Sequence, residues 1–168
     1  MQLQGLHHVT MITGDARRNV AFYADVLGLR FVKKTVNFDA PTLYHLYFGD
    51  EAGSPGSVLT WFEYPHAVRG RAGAGMIHTL RLAVGSEDAL AFWEGRLTAH
   101  GYAPARTGGA LRFEDFEGLA LELAVSTGDP PLRAAHPDVP PEHAIAGVSA
   151  ARAFSAAPGS EGEMLTRT

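Results

Sequence analysis

Four strand positions hold the residues with which this chain could do chemistry, and they are His8, Thr60, His78 and Glu122. In an alternating strand His8, Thr10 and Ile12 of LHHVTMIT share one face, opposite His7, Val9 and Met11. Imidazole suits Fe(II), Mn(II), Ni(II) and Zn(II) alike, so this residue alone does not choose a metal. On Ser57–Phe62, Thr60 and Phe62 take one face, while Leu59, Trp61 and Glu63 take the other. Glu63 therefore reads as a solvated strand end, and Thr60, a poor ligand, leaves its corner open. His78 shares a face with Leu80 and Leu82, so a core histidine bonded to backbone competes evenly with a ligand. In GLALELAV, Leu119, Leu121 and Leu123 form an apolar face, and Ala120, Glu122 and Ala124 face the other way. A glutamate buried there without a partner is costly. A cation would partner it, and a surface-facing glutamate is the alternative.

A repeated layout positions these residues. Asp15 is a plausible N-cap for a helix over Ala16–Leu27, and Gly28 its left-handed stop. Arg30–Asn37, Leu43–Phe48 and Ser57–Tyr64 read as the strands that follow, giving a βαβββ unit over residues 4–64. The connector Pro65–Gly75 leads to a second copy over residues 76–126, with a strand at Met76–Val84 and a helix at Glu87–His100 stopped by Gly101. Strands over Tyr102–Thr107, Ala110–Phe116 and Leu119–Val125 close it. The class is α+β. Each unit has one face covered by its helix, and two units can curl their bare faces around a shared cleft where first and fourth strands converge. Residues 127–143 form a Pro-rich linker, and Ser126–His143 holds half of the chain's ten prolines. Residues 144–168 read as the start of a third unit. Gly147–Thr168 lies on Gly5–Val26 without a gap, which places Ala150 at the position of His8. Its strand, Ala144–Phe154, is expected to find its partner outside the first two units.

The run GLHHVTMITGDARRNVAFYADVLGLRFVKKTVNFDAPTLYHLYFGD, followed by GSPGSVLTWF, resembles the vicinal oxygen chelate superfamily of glyoxalase I, extradiol dioxygenases and bleomycin-resistance proteins. Within it the run is most similar to the hydroquinone-type ring-cleaving dioxygenases. That resemblance implies paired βαβββ modules and a divalent metal, Fe(II) or sometimes Mn(II), which opens a dihydroxylated aromatic ring with O2. It places a ligand on the histidine before valine, which is His8. Such proteins look like four-module chains in which the last module brings the other two ligands. The expectation is therefore an N-terminal half, or a shortened relative that builds its site from His8, His78 and Glu122. Two histidines and a carboxylate leave open positions suited to non-heme iron. Thr10, Thr60, Phe62 and Arg112 are the expected substrate-side residues. Arg112 could meet an anionic substrate, although a salt bridge to Glu114 is preferred. His45 is the candidate proton donor to a bound phenolate or peroxide, with a structural histidine as alternative. Either Tyr44, Leu46 and Phe48 or His45 and Tyr47 line the cleft. Lys33 and Lys34 read as a solvated strand edge.

Other readings stay open at this point. A glyoxalase-type lyase or isomerase would want four protein ligands, and the parity of Glu63 argues against it. A metal-free small-molecule binder of the bleomycin-resistance kind would need only a cleft. No cysteine occurs, which excludes thiolate metal sites and disulfides. A formal net charge of −4 without a basic stripe argues against nucleic acid. No apolar run is long enough to span a bilayer and no signal pattern opens the chain, so a cytoplasmic location is expected. An uncovered cleft or strand edge would favour homo-oligomers or docking to missing modules.

Overall fold

The computed structural model describes residues 5–126, 133–159 and 162. In chain order the elements are β1 (His8–Thr13), α1 (Ala16–Val20, continuing as a π-helical turn Ala21–Val26), β2 (Arg30–Val36), β3 (Tyr44–Gly49) and β4 (Val58–Glu63). The second unit has β5 (Ile77–Val84), α2 (Glu87–Ala99), β6 (Ala105–Thr107), β7 (Ala110–Glu114) and β8 (Ala120–Val125), and β9 (Val148–Ala153) follows. Local chemistry explains the helix limits. The Asp15 carboxylate accepts from Arg18 N and the Ser86 hydroxyl from Ala89 N, and each satisfies a helix donor that has no intrahelical partner. Gly28 and Gly101 stop the two helices at φ values of 67° and 83°. Among the described residues no helix is long and apolar enough to cross a membrane.

The sheets repeat one another. The first runs β1-β4-β3-β2 and the second β6-β7-β8-β5-β9, with β1 parallel to β4 and β5 parallel to β8. Equivalent aspartates shape equivalent turns. Asp50 Oδ1 accepts from Ala52 N and Ser54 N, and Asp115 Oδ1 accepts from Glu117 N and Leu119 N. Val9, Leu59 and Trp61 of one sheet and Leu80, Leu121 and Leu123 of the other belong to a single buried cluster with both helices.

The units meet through their helix-covered sides. Tyr23 donates its hydroxyl to Asp115 at 2.8 Å, Glu117 accepts from the Thr13 hydroxyl at 2.7 Å and from Gly14 N at 2.8 Å, and Arg96 donates to the carbonyls of Asp25 and Val26, each at 2.8 Å. The Asp115 carboxylate and the burial of Tyr23 hold the phenol well above its ordinary pKa, burial being the larger cause. This arrangement corrects the expectation of a cleft shared by the two units. Alternation says which face of a strand is apolar, but not that the two apolar faces are turned toward each other.

The tail also departs from expectation. β9 pairs antiparallel with β5, so its partner lies in the second unit rather than outside the first two. Residues 127–132 of the expected linker lie outside the described residues. The rest of that segment packs on the core, where Val139, Ala144 and Ile145 are buried and the His143 carbonyl accepts from the Trp93 indole at 2.7 Å.

Candidate functional site

The open face of the first sheet carries a grid of polar and aromatic side chains. One row crosses it as Thr10, Thr60, Tyr47 and Lys33, and the next as Ile12, Phe62, His45 and Thr35. His8 stands at the end of β1 on the same face, exposed, with its Nδ1 3.0 Å from His7 Nδ1. The Thr60 hydroxyl donates to Thr10 Oγ1 at 3.0 Å. The expectation that Thr10, Thr60 and Phe62 share the face of His8 therefore matches the register. Of the two alternating sets on β3, His45 and Tyr47 take this face, while Leu46 and Phe48 enter the core.

His45 is held between two aromatic rings there. Its ring lies 4.0 Å from those of Tyr47 and Phe62, centroid to centroid, and its Nδ1 is 2.7 Å from the Tyr47 hydroxyl. Its Nε2 is buried with no partner among the described residues. Burial first, then the charges of Lys33 and His8, pull its pKa below the ordinary 6.5, which favours the neutral imidazole. Lys33 places its Nζ 4.4 Å over the Tyr47 ring. Sequence reasoning took Lys33 for a solvated edge and named Tyr47 only as a partner of His45 in one of two alternating sets. The register irregularity between Phe31 and Lys33 breaks the simple count along β2, so alternation alone could not place it.

The second sheet presents a different open face. Glu122 is only 2% exposed, and its partner is not a metal but three arginines. Arg81 Nε and Nη2 donate to Oε2 at 3.0 and 2.9 Å, Arg152 Nη2 reaches Oε2 at 3.0 Å, and Arg112 Nε reaches Oε1 at 3.2 Å. The sequence argument that Glu122 is buried and requires a cation is met by guanidinium. Arg112 is thereby bound to Glu122, not to Glu114. His78 lies on the other side of β5 from Arg81, stacks 4.2 Å from Phe154 and has its Nδ1 2.9 Å from the Thr79 hydroxyl.

Register explains why His78 is misplaced. Thr10 faces Thr60 across β1 and β4 as Arg81 faces Glu122 across β5 and β8. The counterpart of His8 is therefore Thr79, one residue on from His78, and a shift of one residue reverses the face. Among the described residues no three His, Cys, Asp or Glu side chains come together to hold a metal. The set His8, His78 and Glu122 is not assembled, and the residues present do not fit a three-ligand centre. Glu63 is no free strand end either. Its Oε1 accepts from Ala16 N at 2.9 Å, so it caps α1 on the helix side and stands away from the face of His8.

With this geometry established, known proteins give a consistent comparison. Residues 5–123 match the model of the Glyoxalase/Bleomycin resistance protein/Dioxygenase superfamily. MhqA of Bacillus subtilis strain 168, named as a ring-cleaving dioxygenase, is 43% identical over 128 residues, 73% of this chain and 40% of its own length. A chlorohydroquinone/hydroquinone 1,2-dioxygenase of Sphingobium indicum is 41% identical over 100 residues, 57% of this chain and 30% of its own. A crystal structure from Bacillus subtilis, of a protein named as a dioxygenase, superposes with a TM-score of 0.90 at 38% identity. It covers 99% of this chain and 55% of the solved one. The chain thus spans about half the length, or less, of these relatives.

Proposed function

The chain belongs to that superfamily, and we propose that it forms one wall of the active site of a ring-cleaving dioxygenase acting on hydroquinone-type dihydroxylated aromatics. The observation that carries this reading is the cluster of Phe62, His45, Tyr47 and Lys33 on the open face that also carries His8. A substrate ring would lie along Phe62 and His45, where offset aromatic contacts are favourable. With the Nδ1 proton donated to the Tyr47 oxygen, Nε2 of His45 offers a lone pair to a phenolic hydroxyl. Burial and Lys33 keep this imidazole neutral, so it can take that proton, and the Lys33 ammonium offsets the charge of the phenolate left behind. The proton acceptor proposed here replaces the proton donor expected from sequence. His8 is the one ligand this face contributes to an Fe(II) or Mn(II) ion, and the remaining ligands lie outside the described residues.

The reading is tested by calorimetric binding of hydroquinone together with Mn(II) titration of the histidine ring resonances. His45→Gln should weaken hydroquinone binding about tenfold, because a buried hydrogen-bonding partner is lost. His8→Ala should remove the Mn(II) broadening of the His45 ring and leave hydroquinone binding within about threefold of wild type. Unchanged hydroquinone binding in His45→Gln would contradict the proposal.

A further inference from the structure

We infer that the open face of the second sheet binds a small organic carboxylate, its head on Arg81, Arg112 and Arg152 and its apolar body in the cavity beside Arg112. The inference goes beyond the reaction proposed above and does not depend on it. It starts from charge. Arg81, Arg112 and Arg152 converge on Glu122, whose side chain is 2% exposed, at 2.9, 3.2 and 3.0 Å. One carboxylate balances one guanidinium and leaves two positive charges spread over β5, β7 and β9. Whatever lies over this face, a cluster of like charges is costly to hold without a second anion.

Donors for that anion are in place. A guanidinium carries five N–H groups on three nitrogens, and Glu122 engages Nε and Nη2 of Arg81, Nε of Arg112 and Nη2 of Arg152. Nη1 of Arg81, both terminal nitrogens of Arg112, and Nε and Nη1 of Arg152 make no hydrogen bond to protein among the described residues. The three side chains are 32, 45 and 47% exposed, so these donors are within reach of a ligand. Their planar forks match a carboxylate. On the first sheet the same register places hold Thr10, Thr60 and Tyr47, three uncharged side chains. The second face therefore repels a divalent cation and attracts an anion.

A cavity of about 460 Å³ adjoins the cluster, lined by Tyr102, Ala103, Arg112, Phe113, Glu114 and Ala120. It arises where the two units differ. In the first, β2 follows β3 as far as Phe31 opposite Phe48 and Arg30 opposite Gly49. In the second, β6 begins at Ala105 opposite Arg112, and Pro104 before it has no N–H with which to lengthen the ladder. Phe113 and Glu114 are left without a strand partner on their outer side, and the gap has the volume of a small-molecule site. Tyr102, Ala103, Phe113 and Ala120 give it apolar walls, which suit a molecule with an apolar body rather than a bare ion. Glu114 is its one acidic group. Arg69 Nη2 and Glu114 Oε2 lie 2.8 and 3.7 Å from the place a Cβ would take on Gly118, so Glu114 has a cation of its own nearby. Its carboxylate keeps the anionic head at the Arg112 end.

Titration of the whole chain with butyrate at low ionic strength tests this, followed by NMR and by melting temperature, with acetate and chloride at the same concentrations for comparison. Butyrate should bind saturably, raise the melting temperature and shift the amides of Arg112 and Ala120 together, leaving the His45 ring unmoved. Acetate, which lacks two methylenes, should bind about tenfold more weakly. Arg112→Gln should lower the affinity for butyrate about tenfold. Glu122→Gln leaves the three guanidinium groups without their carboxylate, so it should bind butyrate more tightly than wild type and regain melting temperature on binding. Equal effects of butyrate, acetate and chloride would mean ionic screening alone and would overturn the inference. So would an Arg112→Gln protein that binds butyrate as wild type does, a result that stands even if Glu122→Gln does not fold.

Discussion

Glu122 and His45 show how two polar side chains on open sheet faces come to opposite chemical ends. Glu122 spends its lone pairs on Arg81, Arg112 and Arg152, so it acts as a structural counter-charge. Glu122→Gln should lower stability by about 3 kcal/mol in chemical denaturation, because three guanidinium groups then crowd together without their carboxylate. The same variant should leave Fe(II) binding unchanged. His45 keeps one nitrogen free, and its neighbours favour the uncharged ring. Lys33→Gln should move the NMR titration of His45 up toward the ordinary 6.5. The sign for stability follows from a folded-state pKa below the unfolded value. The stability linked to His45 is fully present above pH 6.5 and is lost as the pH falls through the folded pKa. Lys33→Gln should therefore soften the acid side of the stability profile.

At the scale of elements, much could be read from residue order. Asp15, Gly28, Ser86 and Gly101 mark helix limits by their own chemistry, and alternation correctly assigned Thr60, Phe62 and Glu122 to open faces. The failures were of register and of partner. His78 sits one residue from the ligand position, and nothing in IHTLRLAV shows where β5 starts to count against β8. The partner of Glu122 was legible only as a positive charge, since its three arginines come from β5, β7 and β9. The tail is the element most changed by the structure. Cutting the chain after Ser126 would bare the edge of β5, remove the acceptor of the Trp93 indole and uncover the sites of Val139 and Ile145. Those two side chains alone contribute roughly 1.5–3 kcal/mol each. The truncated chain should show a clearly lowered melting temperature and lose hydrogen-exchange protection at Ala83, whose N–H bonds the Gly147 carbonyl. Wild-type protection there would mean that β9 adds nothing to the sheet.

At the scale of the molecule, two units share one core and hold two unlike open faces, one with a neutral histidine among aromatic rings and one closed by an arginine-bound glutamate. The central claim is that the first of these faces, and not the second, receives the metal and the aromatic substrate. Its most direct test is paramagnetic line broadening of the histidine ring resonances during titration with Mn(II) in the presence of hydroquinone. The account predicts that His8 and His45 broaden first and together, and that His78 is spared until Mn(II) is in large excess. Broadening of His78 ahead of His8 and His45 would place the site on the second unit and contradict the account.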